Sequence, residues 1–252
     1  MRVAISQPTY LPWIGYLDLI DQVDTFVFLD NVQFEKQSWQ QRNRIKTPTG
    51  LQWLTVPVLF RGRFGQLINE TEIRDLGFWR NHLRAIELNY RRAPFFDDYF
   101  EELSSRLTES CSSKALIADL DVHLIEWFVH RLGIRTRLLR SSELGQRGRR
   151  TELLANICAS LGAKEYVSPL GSASYLLQES HVLLEKGIDV VFQHYEHPQY
   201  RQLFPPFCPY ASVLDLIFNE GGHGCEILRS GRRNPFVPNE VGGLFSLVAE
   251  AR

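Results

Sequence analysis

The amino-acid sequence predicts an α/β fold built on a mainly parallel sheet of Rossmann-like βαβ units. The first observation is the order of patterns at the N-terminus. An apolar run at residues 3–5 precedes a polar and aromatic loop, an amphipathic run at 17–23 and a β-branched and aromatic run at 25–30. This order is typical of a strand, a loop, a helix and a second strand. Because a helix joins the two strands, they are expected to be parallel.

The second observation is that the same order returns late in the chain. A short strand is predicted at residues 164–168, and a Gly-Ser turn and a helix then lead to a strand at 188–192. Between the two units, apolar residues recur at helical spacing from about residue 78 to 132. We therefore expect a single α/β domain over residues 1–252, with a helical cap or insertion at about 78–132.

Two further segments are predicted to be strands. Residues 51–58 predict a buried third strand, and residues 134–139 predict another strand after the helical segment. A glycine-bearing basic loop and a helix follow the latter, which continues the alternation of strands and helices that parallel sheets require.

The composition sets limits on the function. Of the 252 residues, 44% are apolar and 23% charged, and the formal net charge is -1. This balance gives no electrostatic reason to expect DNA binding. The sequence carries no apolar run of membrane-spanning length and no N-terminal signal peptide, so we expect a cytoplasmic protein without membrane insertion.

The four cysteines, Cys111, Cys158, Cys208 and Cys225, form no CxxC pair. Zinc sites usually bring cysteines in such pairs, so this spacing does not favour a metal. We expect reduced thiols, no disulfide and no metal ion.

Polar and aromatic side chains follow each of the first two predicted strands. Gln7, Tyr10, Trp13 and Tyr16 come after the first strand, and Asp30 and Gln33 come after the second. In open parallel sheets, ligands bind beyond the carboxyl ends of the strands. These six side chains are therefore candidates for a binding site, and Asp30 is also a candidate for orienting a reacting amine or an imidazole.

A second polar cluster follows the late strand at residues 188–192. Its members are His194, Tyr195, His197, Tyr200 and Gln202. The two histidines have no evident third ligand, so a general acid or base is a better use of either than a metal site. If both clusters project from the same sheet edge, they face one cleft. The alternative is that they join loops through hydrogen bonds to the backbone.

Two basic segments are candidate anion sites. The first contains Arg42, Asn43, Arg44 and Lys46. The cations Arg42, Arg44 and Lys46 alternate, so they would share one face of an extended strand. The second is the loop with Arg147, Arg149 and Arg150, which leads into a predicted helix N-terminus. The alternative for each is an ordinary solvated segment.

Several of these motifs together resemble the WbqC-like family. The similarity runs from about residue 3 to 221, and its most specific part is the opening motif Gln7-Pro8-x-Tyr10-Leu11-Pro12-Trp13-x-Gly15-Tyr16. The other matching pieces are Asp30-x-Val32-Gln33-Phe34, Arg42-Asn43-x-Ile45-Lys46, His197-Pro198-x-Tyr200-x-Gln202 and Ser212-x-Leu214-Asp215-Leu216-x-Phe218-Asn219. One departure is Ser6, where many members carry histidine.

The resemblance implies a role in surface-polysaccharide (O-antigen) biosynthesis. It suggests a transferase that moves an aminoacyl or acyl group, such as glycyl, to an amino sugar. Its co-substrates would be an activated acyl donor or a nucleotide sugar, with no tightly bound cofactor, and an acyl or aminoacyl carrier protein would be a candidate partner. Two alternatives stay open: a nucleotidylyltransferase-like enzyme acting on a nucleotide or activated acid, and a non-catalytic sugar-binding or assembly protein.

Overall fold

The computed structural model describes residues 1–110 and 115–242. Five strands form a parallel sheet in the order β5-β2-β1-β6-β7, and β3 and β4 form a separate antiparallel hairpin. The predicted fold class is confirmed. In chain order, the strands are β1 (Arg2–Ser6), β2 (Thr25–Phe28), β3 (Arg42–Thr47), β4 (Gly50–Thr55), β5 (Arg137–Arg140), β6 (Glu165–Ser168) and β7 (Asp189–Phe192).

Helices pack on both faces of the parallel sheet. In chain order, they are α1 (Ile14–Asp21), α2 (Trp79–Tyr90), α3 (Phe96–Glu109), α4 (Ile117–Arg131), α5 (Thr151–Ser160), α6 (Ala173–Glu179), α7 (His181–Leu184), α8 (Val213–Glu220) and α9 (Gly224–Ser230). On β2, Phe26 and Phe28 join a core with α1, α4 and α8, whereas Val27 joins a second core with α5, α6 and α7. Successive residues of a strand point to opposite faces, so these two cores lie on the two sides of the sheet.

The order of the strands creates a crevice at one edge of the sheet. From β1 the chain crosses to β2 on one side, and from β5 it crosses to β6 on the other side of β1. The loops that follow β1 and β6 therefore run in opposite directions although their strands are neighbours. This reversal of direction is the place where open α/β sheets bind ligands.

The hairpin corrects one detail of the sequence prediction. Residues 51–58 were expected to form a buried third strand, but among the described residues β4 pairs with β3 alone and ends at Thr55. The Trp53 side chain is 42% exposed. The reason for this exposure is that β4 lies outside the parallel sheet, where arginines of β3 contact part of the indole and solvent reaches the rest.

The helical insertion lies between β4 and β5, within the predicted range. Its first two helices contact β3 and α8, and α4 contributes Leu124 and Phe128 to the core that also contains Phe26. The insertion thus belongs to the layer that covers one face of the sheet. Whether residues 1–252 form one domain stays a prediction.

Candidate functional site

A cavity of about 600 Å³ opens at the carboxyl ends of β1 and β6. Its size suits a small-molecule ligand. The residues that line it come from the end of β1, the first turn of α1, the loops after β1, β2, β6 and β7, and the start of β3. They are Ser6, Gln7, Thr9, Trp13, Tyr16, Glu35, Ser38, Trp39, Gln40, Asn43, Arg44, Pro169, Leu170, Gly171, Gln193, Tyr195 and Tyr210.

Aromatic rings form one wall of this cavity. The Trp13 ring lies 5.6 Å from the Tyr195 ring and 5.4 Å from the Tyr210 ring, and both contacts are edge-to-face. Tyr210 is 50% exposed, so its ring is available to a ligand at the mouth. Aromatic surfaces of this kind pack against the apolar faces of sugars and acyl chains.

Gln193 presents a fixed amide to the cavity. Its Nε2 donates hydrogen bonds to the Gly15 carbonyl at 2.8 Å and to Asp18 Oδ2 at 2.9 Å. Both hydrogens of the amide are therefore used, which leaves the Oε1 atom to accept a hydrogen bond from a ligand.

Asp18 holds this arrangement from behind the cavity. Its side chain is fully buried on α1, and Arg232 Nε donates to the second carboxylate oxygen at 2.8 Å. Burial raises the pKa of Asp18, while Arg232 and Gln193 act in the opposite direction. Asp18 thereby links α1, the loop after β7 and the C-terminal segment.

Gln7 and Asn43 supply further amides. Gln40 Nε2 donates to Gln7 Oε1 at 2.9 Å, so the Gln7 amide nitrogen is turned away from that contact. Asn43 is 2% exposed, and its Oδ1 accepts from the Arg44 backbone at 2.8 Å. Within residues 1–110 and 115–242, Asn43 Nδ2 has no hydrogen-bond acceptor, which leaves it free for a ligand oxygen.

Two tyrosines in the cavity wall are structural donors. The Tyr16 hydroxyl donates to the Gln7 carbonyl at 2.9 Å, and the Tyr195 hydroxyl donates to the Leu228 carbonyl at 2.9 Å. Burial raises the pKa of both phenols well above the ordinary value. Neither therefore suits proton abstraction at neutral pH. Glu35 and Arg44 are the lining side chains that carry full charges.

Of the predicted binding residues, the structure brings five to the cavity: Gln7, Trp13, Tyr16, Asn43 and Tyr195. Tyr10 is fully buried next to them, and its hydroxyl lies 2.8 Å from His82 Nδ1. Its backbone N–H donates to the Trp39 carbonyl at 2.9 Å. Tyr10 thus fixes the loop that carries Trp39 against the opening motif.

Asp30 lies outside the cavity. Its buried carboxylate accepts hydrogen bonds from Arg140 Nε at 2.8 Å, from Ser141 Oγ at 3.0 Å, and from the backbone N–H and hydroxyl of Ser142. The carboxylate therefore joins the ends of β2 and β5. The sequence predicted one cleft shared by Gln7, Asp30 and His197. Of these three residues, Gln7 alone lines the cavity.

His197 lies behind the aromatic wall. Its ring stacks on Trp13 at 6.2 Å and its Nδ1 donates to the Pro198 carbonyl at 2.8 Å. Burial lowers the pKa of His197, so the neutral ring is favoured. The Nε2 atom is buried and has no partner among the described residues. His194 instead stacks on Phe236 at 4.0 Å, also outside the cavity.

Three more predicted binding residues, Lys46, Tyr200 and Gln202, surround Asp215 at the start of α8. Gln202 Nε2 donates to Asp215 Oδ2 at 2.8 Å, and the Tyr90 hydroxyl donates to Oδ1 at 3.0 Å. Burial raises the pKa of Asp215 to about 6, although its hydrogen bonds and the nearby charge of Lys46 act to lower it. Lys46 is itself buried, with 1% of its surface exposed. This network connects β3, α2 and α8 beneath the cavity.

The remaining predicted residues also lie outside the cavity. Arg42 places its guanidinium over Trp53 at 4.3 Å, and Gln33 is exposed and bridges to Leu67. The basic loop before α5 is exposed, and in it Arg150 lies 3.7 Å from Glu179. Arg147 and Arg149 share that loop, and none of its three arginines lines the cavity.

Several cavity residues were not expected from the sequence: Ser6, Thr9, Glu35, Ser38, Trp39, Gln40, Pro169, Leu170, Gly171, Gln193 and Tyr210. Arg44, which also lines the cavity, belongs to the cation face that the sequence put forward as a candidate anion site. One signal could have found some of them. Pro169, Leu170 and Gly171 directly follow a short strand, as the opening motif does. Tyr210 carried no such signal, because it follows no strand.

The described residues hold no group of three or more His, Cys, Asp or Glu side chains arranged for a metal ion. Cys158, Cys208 and Cys225 are free, and burial raises the pKa of Cys158 to about 12. Cys111 lies outside the described residues. In the described ranges, no helix has both the length and the apolar character needed to cross a membrane.

The sequence profile of the WbqC-like protein family matches residues 7–227. The chain belongs to the WbqC-like protein family. It is also 40% identical over 233 residues to the uncharacterized protein Rv1507c of Mycobacterium tuberculosis. The aligned region covers 92% of this chain and 99% of that relative. No solved structure matches the chain. The family match contains all the residues that line the cavity except Ser6.

Proposed function

We propose that this WbqC-like protein is a transferase of surface-polysaccharide biosynthesis, which moves an activated aminoacyl or acyl group, such as glycyl, to the amine of an amino sugar. The observation that carries this proposal is the cavity at the carboxyl ends of β1 and β6. Amides and aromatic rings line it, together with the carboxylate of Glu35 and the guanidinium of Arg44. The family resemblance suggests the pathway, and the chemistry of the cavity suggests the kind of substrate.

The cavity wall suits a sugar. Sugars present hydroxyl groups at their edges and C–H groups on their faces, so they need both amides and aromatic rings. Gln193 Oε1 and Asn43 Nδ2 offer an acceptor and a donor whose own side chains are already fixed. Trp13 and Tyr210 offer ring surface.

The proposed reaction forms an amide. The amine nitrogen attacks the carbonyl carbon of the acyl donor and forms the C–N bond. The bond from that carbon to the leaving sulfur or oxygen breaks, and the leaving group keeps the electron pair. A base takes the amine proton, and a donor stabilises the carbonyl oxygen while it carries negative charge. We assign the base to Glu35, since it is the carboxylate that lines the cavity, and the oxyanion donor to Asn43 Nδ2.

The test is product formation from an amino-sugar nucleotide and a glycyl donor, followed by mass spectrometry. Donors on coenzyme A, on a carrier protein and on tRNA should be compared. Glu35→Gln should lower kcat by about a hundredfold or more, as expected for loss of a general base. Glu72→Gln is the matched control, because Glu72 is a partly exposed carboxylate that pairs with Arg63 outside the cavity.

The sequence pointed to His197 or His194 as the base, and that assignment stays a prediction. A His197→Ala enzyme with undiminished turnover would remove His197 from the mechanism. If His197→Ala loses turnover while Glu35→Gln keeps it, the assignment of Glu35 is wrong.

Adenylyl transfer is the second candidate, because nucleotides also bind at the reversal point between neighbouring parallel strands. ATP–pyrophosphate exchange by the purified protein, without transfer to an amino sugar, would favour it. Sugar binding without turnover of any donor would instead favour a sugar-binding or assembly protein.

A further inference from the structure

Two tryptophans contact each other beside the cavity: Trp39 lines it, and Trp53 lies against Trp39. Trp39, in the loop before β3, and Trp53, on β4, are 48% and 42% exposed. Their ring centroids lie 5.5 Å apart at an angle of 36°. Large aromatic side chains are rarely so exposed without a partner, so this pair is a candidate ligand surface.

Two arginines of β3 lie against the same tryptophans. The Arg42 guanidinium lies 4.3 Å from the Trp53 ring centroid, and that of Arg44 lies 5.3 Å from Trp53 and 5.5 Å from Trp39. A guanidinium stacked on a ring keeps its N–H donors in its own plane, available to an anion at its edge.

Neither arginine is neutralised by a carboxylate in the part of the chain that the structure describes. Within the described ranges, no carboxylate lies within 4 Å of the guanidinium of Arg42 or of Arg44. The Nε atoms of both are buried and make no hydrogen bond there. Two stacked and uncompensated cations at a cavity mouth favour an anionic ligand.

This surface is continuous with the cavity. Trp39, Arg44 and the buried Asn43 all line it. The Tyr10 backbone N–H bonds to the Trp39 carbonyl, and Gln40 bonds to Gln7. The loop that carries Trp39 and Gln40 is therefore fixed to the opening motif, and a ligand that contacts Trp39 can extend into the cavity.

We propose that Trp39, Trp53, Arg42 and Arg44 form a nucleoside diphosphate site. The base stacks on the indoles, the diphosphate binds the two guanidinium groups, and the attached sugar enters the cavity between Trp13 and Gln193. The position of the sugar rests on the function proposed above. The nucleotide site itself rests on the stacked rings and the unpaired cations.

A nucleoside diphosphate accounts for both halves of the surface. A neutral sugar would use the indoles but would leave both arginines without a counter-charge. Inorganic phosphate or pyrophosphate would use the arginines but not the exposed indoles. Base stacking on an aromatic side chain tolerates every base, so the surface does not by itself select one nucleotide.

Isothermal titration of the full chain with UDP, ADP, GDP, pyrophosphate and glucosamine tests this site. We expect at least one nucleotide to bind more tightly than pyrophosphate. Trp39→Leu and Arg44→Ala should each weaken that nucleotide about tenfold or more, with an unchanged Tm. Arg80→Ala is the matched control, because Arg80 stacks on Trp79 at 4.5 Å outside the cavity, and it should bind as the parent chain does.

The site is wrong if no nucleotide of the panel binds, if pyrophosphate binds as tightly as the best nucleotide, or if Arg80→Ala weakens binding as much as Arg44→Ala. The proposed transferase fails separately. Nucleotide binding that needs Trp39 and Arg44, with no transfer to any amino sugar, supports the site and removes the transferase. Transfer to free glucosamine without nucleotide binding supports the transferase and overturns the site.

Discussion

The indole of Trp13 folds back over the backbone of Gly15. A Cβ atom at position 15 would overlap three carbons of the Trp13 six-membered ring. Gly15 is therefore the residue that allows Trp13 to lie flat on the first turn of α1 and form a wall of the cavity. The sequence Trp-x-Gly in the opening motif thus has a packing reason.

Gly15→Ala should displace the Trp13 ring and disturb the cavity. We expect a loss of about 1–3 kcal/mol in the free energy of unfolding, as for other overpacked sites, measured by urea titration. The intrinsic tryptophan fluorescence should change as well. Gly222→Ala is the control, since a Cβ there meets no atom within 4 Å, and equal losses for the two variants would contradict this account.

Asp30 and Asp119 offer a matched pair, because both contact Arg140, at 2.8 Å and 2.6 Å. The Asp30 side chain is fully buried, whereas that of Asp119 is 55% exposed. Asp30→Asn should cost about 3 kcal/mol of stability, since it breaks a buried ion pair. Asp119→Asn should cost about 1 kcal/mol or less, as solvent screens that pair. Thermal and urea unfolding measure both.

The same pair separates a structural role of Asp30 from the catalytic role that the sequence suggested. If Asp30 only joins β2 to β5, turnover per folded molecule stays unchanged in Asp30→Asn. Lost turnover with unchanged stability would return Asp30 to the reaction.

His82 should make the fold sensitive to acid. Its burial against Tyr10 and Phe78 lowers its pKa to about 4, and a hydrogen bond to the Thr55 backbone acts in the opposite direction. The unfolded chain binds this proton near pH 6.5 and the folded chain only near pH 4. Stability is therefore complete above about pH 6.5 and falls by about 3 kcal/mol as the pH decreases to about 4.

Urea titrations at pH 7, 6, 5 and 4 measure this slope. His82→Gln should lower stability at pH 7 but flatten the profile between pH 6.5 and 4, so the difference from the parent chain should shrink as the pH falls. Asp215, with a pKa of about 6, changes the stability in the opposite direction, since its protonation between about pH 6 and 4 favours the folded chain. The pH slope of the variant must therefore be compared with that of the parent chain. His223→Gln, at an exposed histidine, is the control, and a steep slope retained in His82→Gln would refute the assignment.

Arg232 and Arg233 are adjacent but pair with carboxylates of different burial. Arg232 binds the fully buried Asp18, and Arg233 binds Glu196, which is 59% exposed. Arg232→Ala should cost about 3 kcal/mol because it leaves Asp18 buried without its counter-charge. Arg233→Ala should cost about 1 kcal/mol or less. Because Asp18 also accepts a hydrogen bond from Gln193, Arg232→Ala should weaken sugar binding in the cavity. Equal losses of stability in Arg232→Ala and Arg233→Ala would show that Asp18 does not depend on Arg232.

Local patterns in the sequence were enough to predict the parallel sheet, the helical insertion and the position of the opening motif after the first strand. Strand and helix periodicity is a property of neighbouring residues, so it can be read without knowing how the chain packs. The pairing of β3 with β4 was missed because Trp53 and the apolar residues beside it show the same local pattern in an exposed hairpin as in a buried strand.

By itself, the sequence determined the fold class, the family and the loop that carries Gln7, Trp13 and Tyr16 to the carboxyl edge of β1. Only the tertiary structure decided which polar residues share the cavity. Because β1 and β6 are neighbours, Gly171 and Gln193 line the same cavity as Gln7, although they lie far from it in the chain. His197 instead packs against Trp13, and Asp30 pairs with Arg140. The physical reason is that strand order and burial arise from contacts between distant segments, and no local spacing records them.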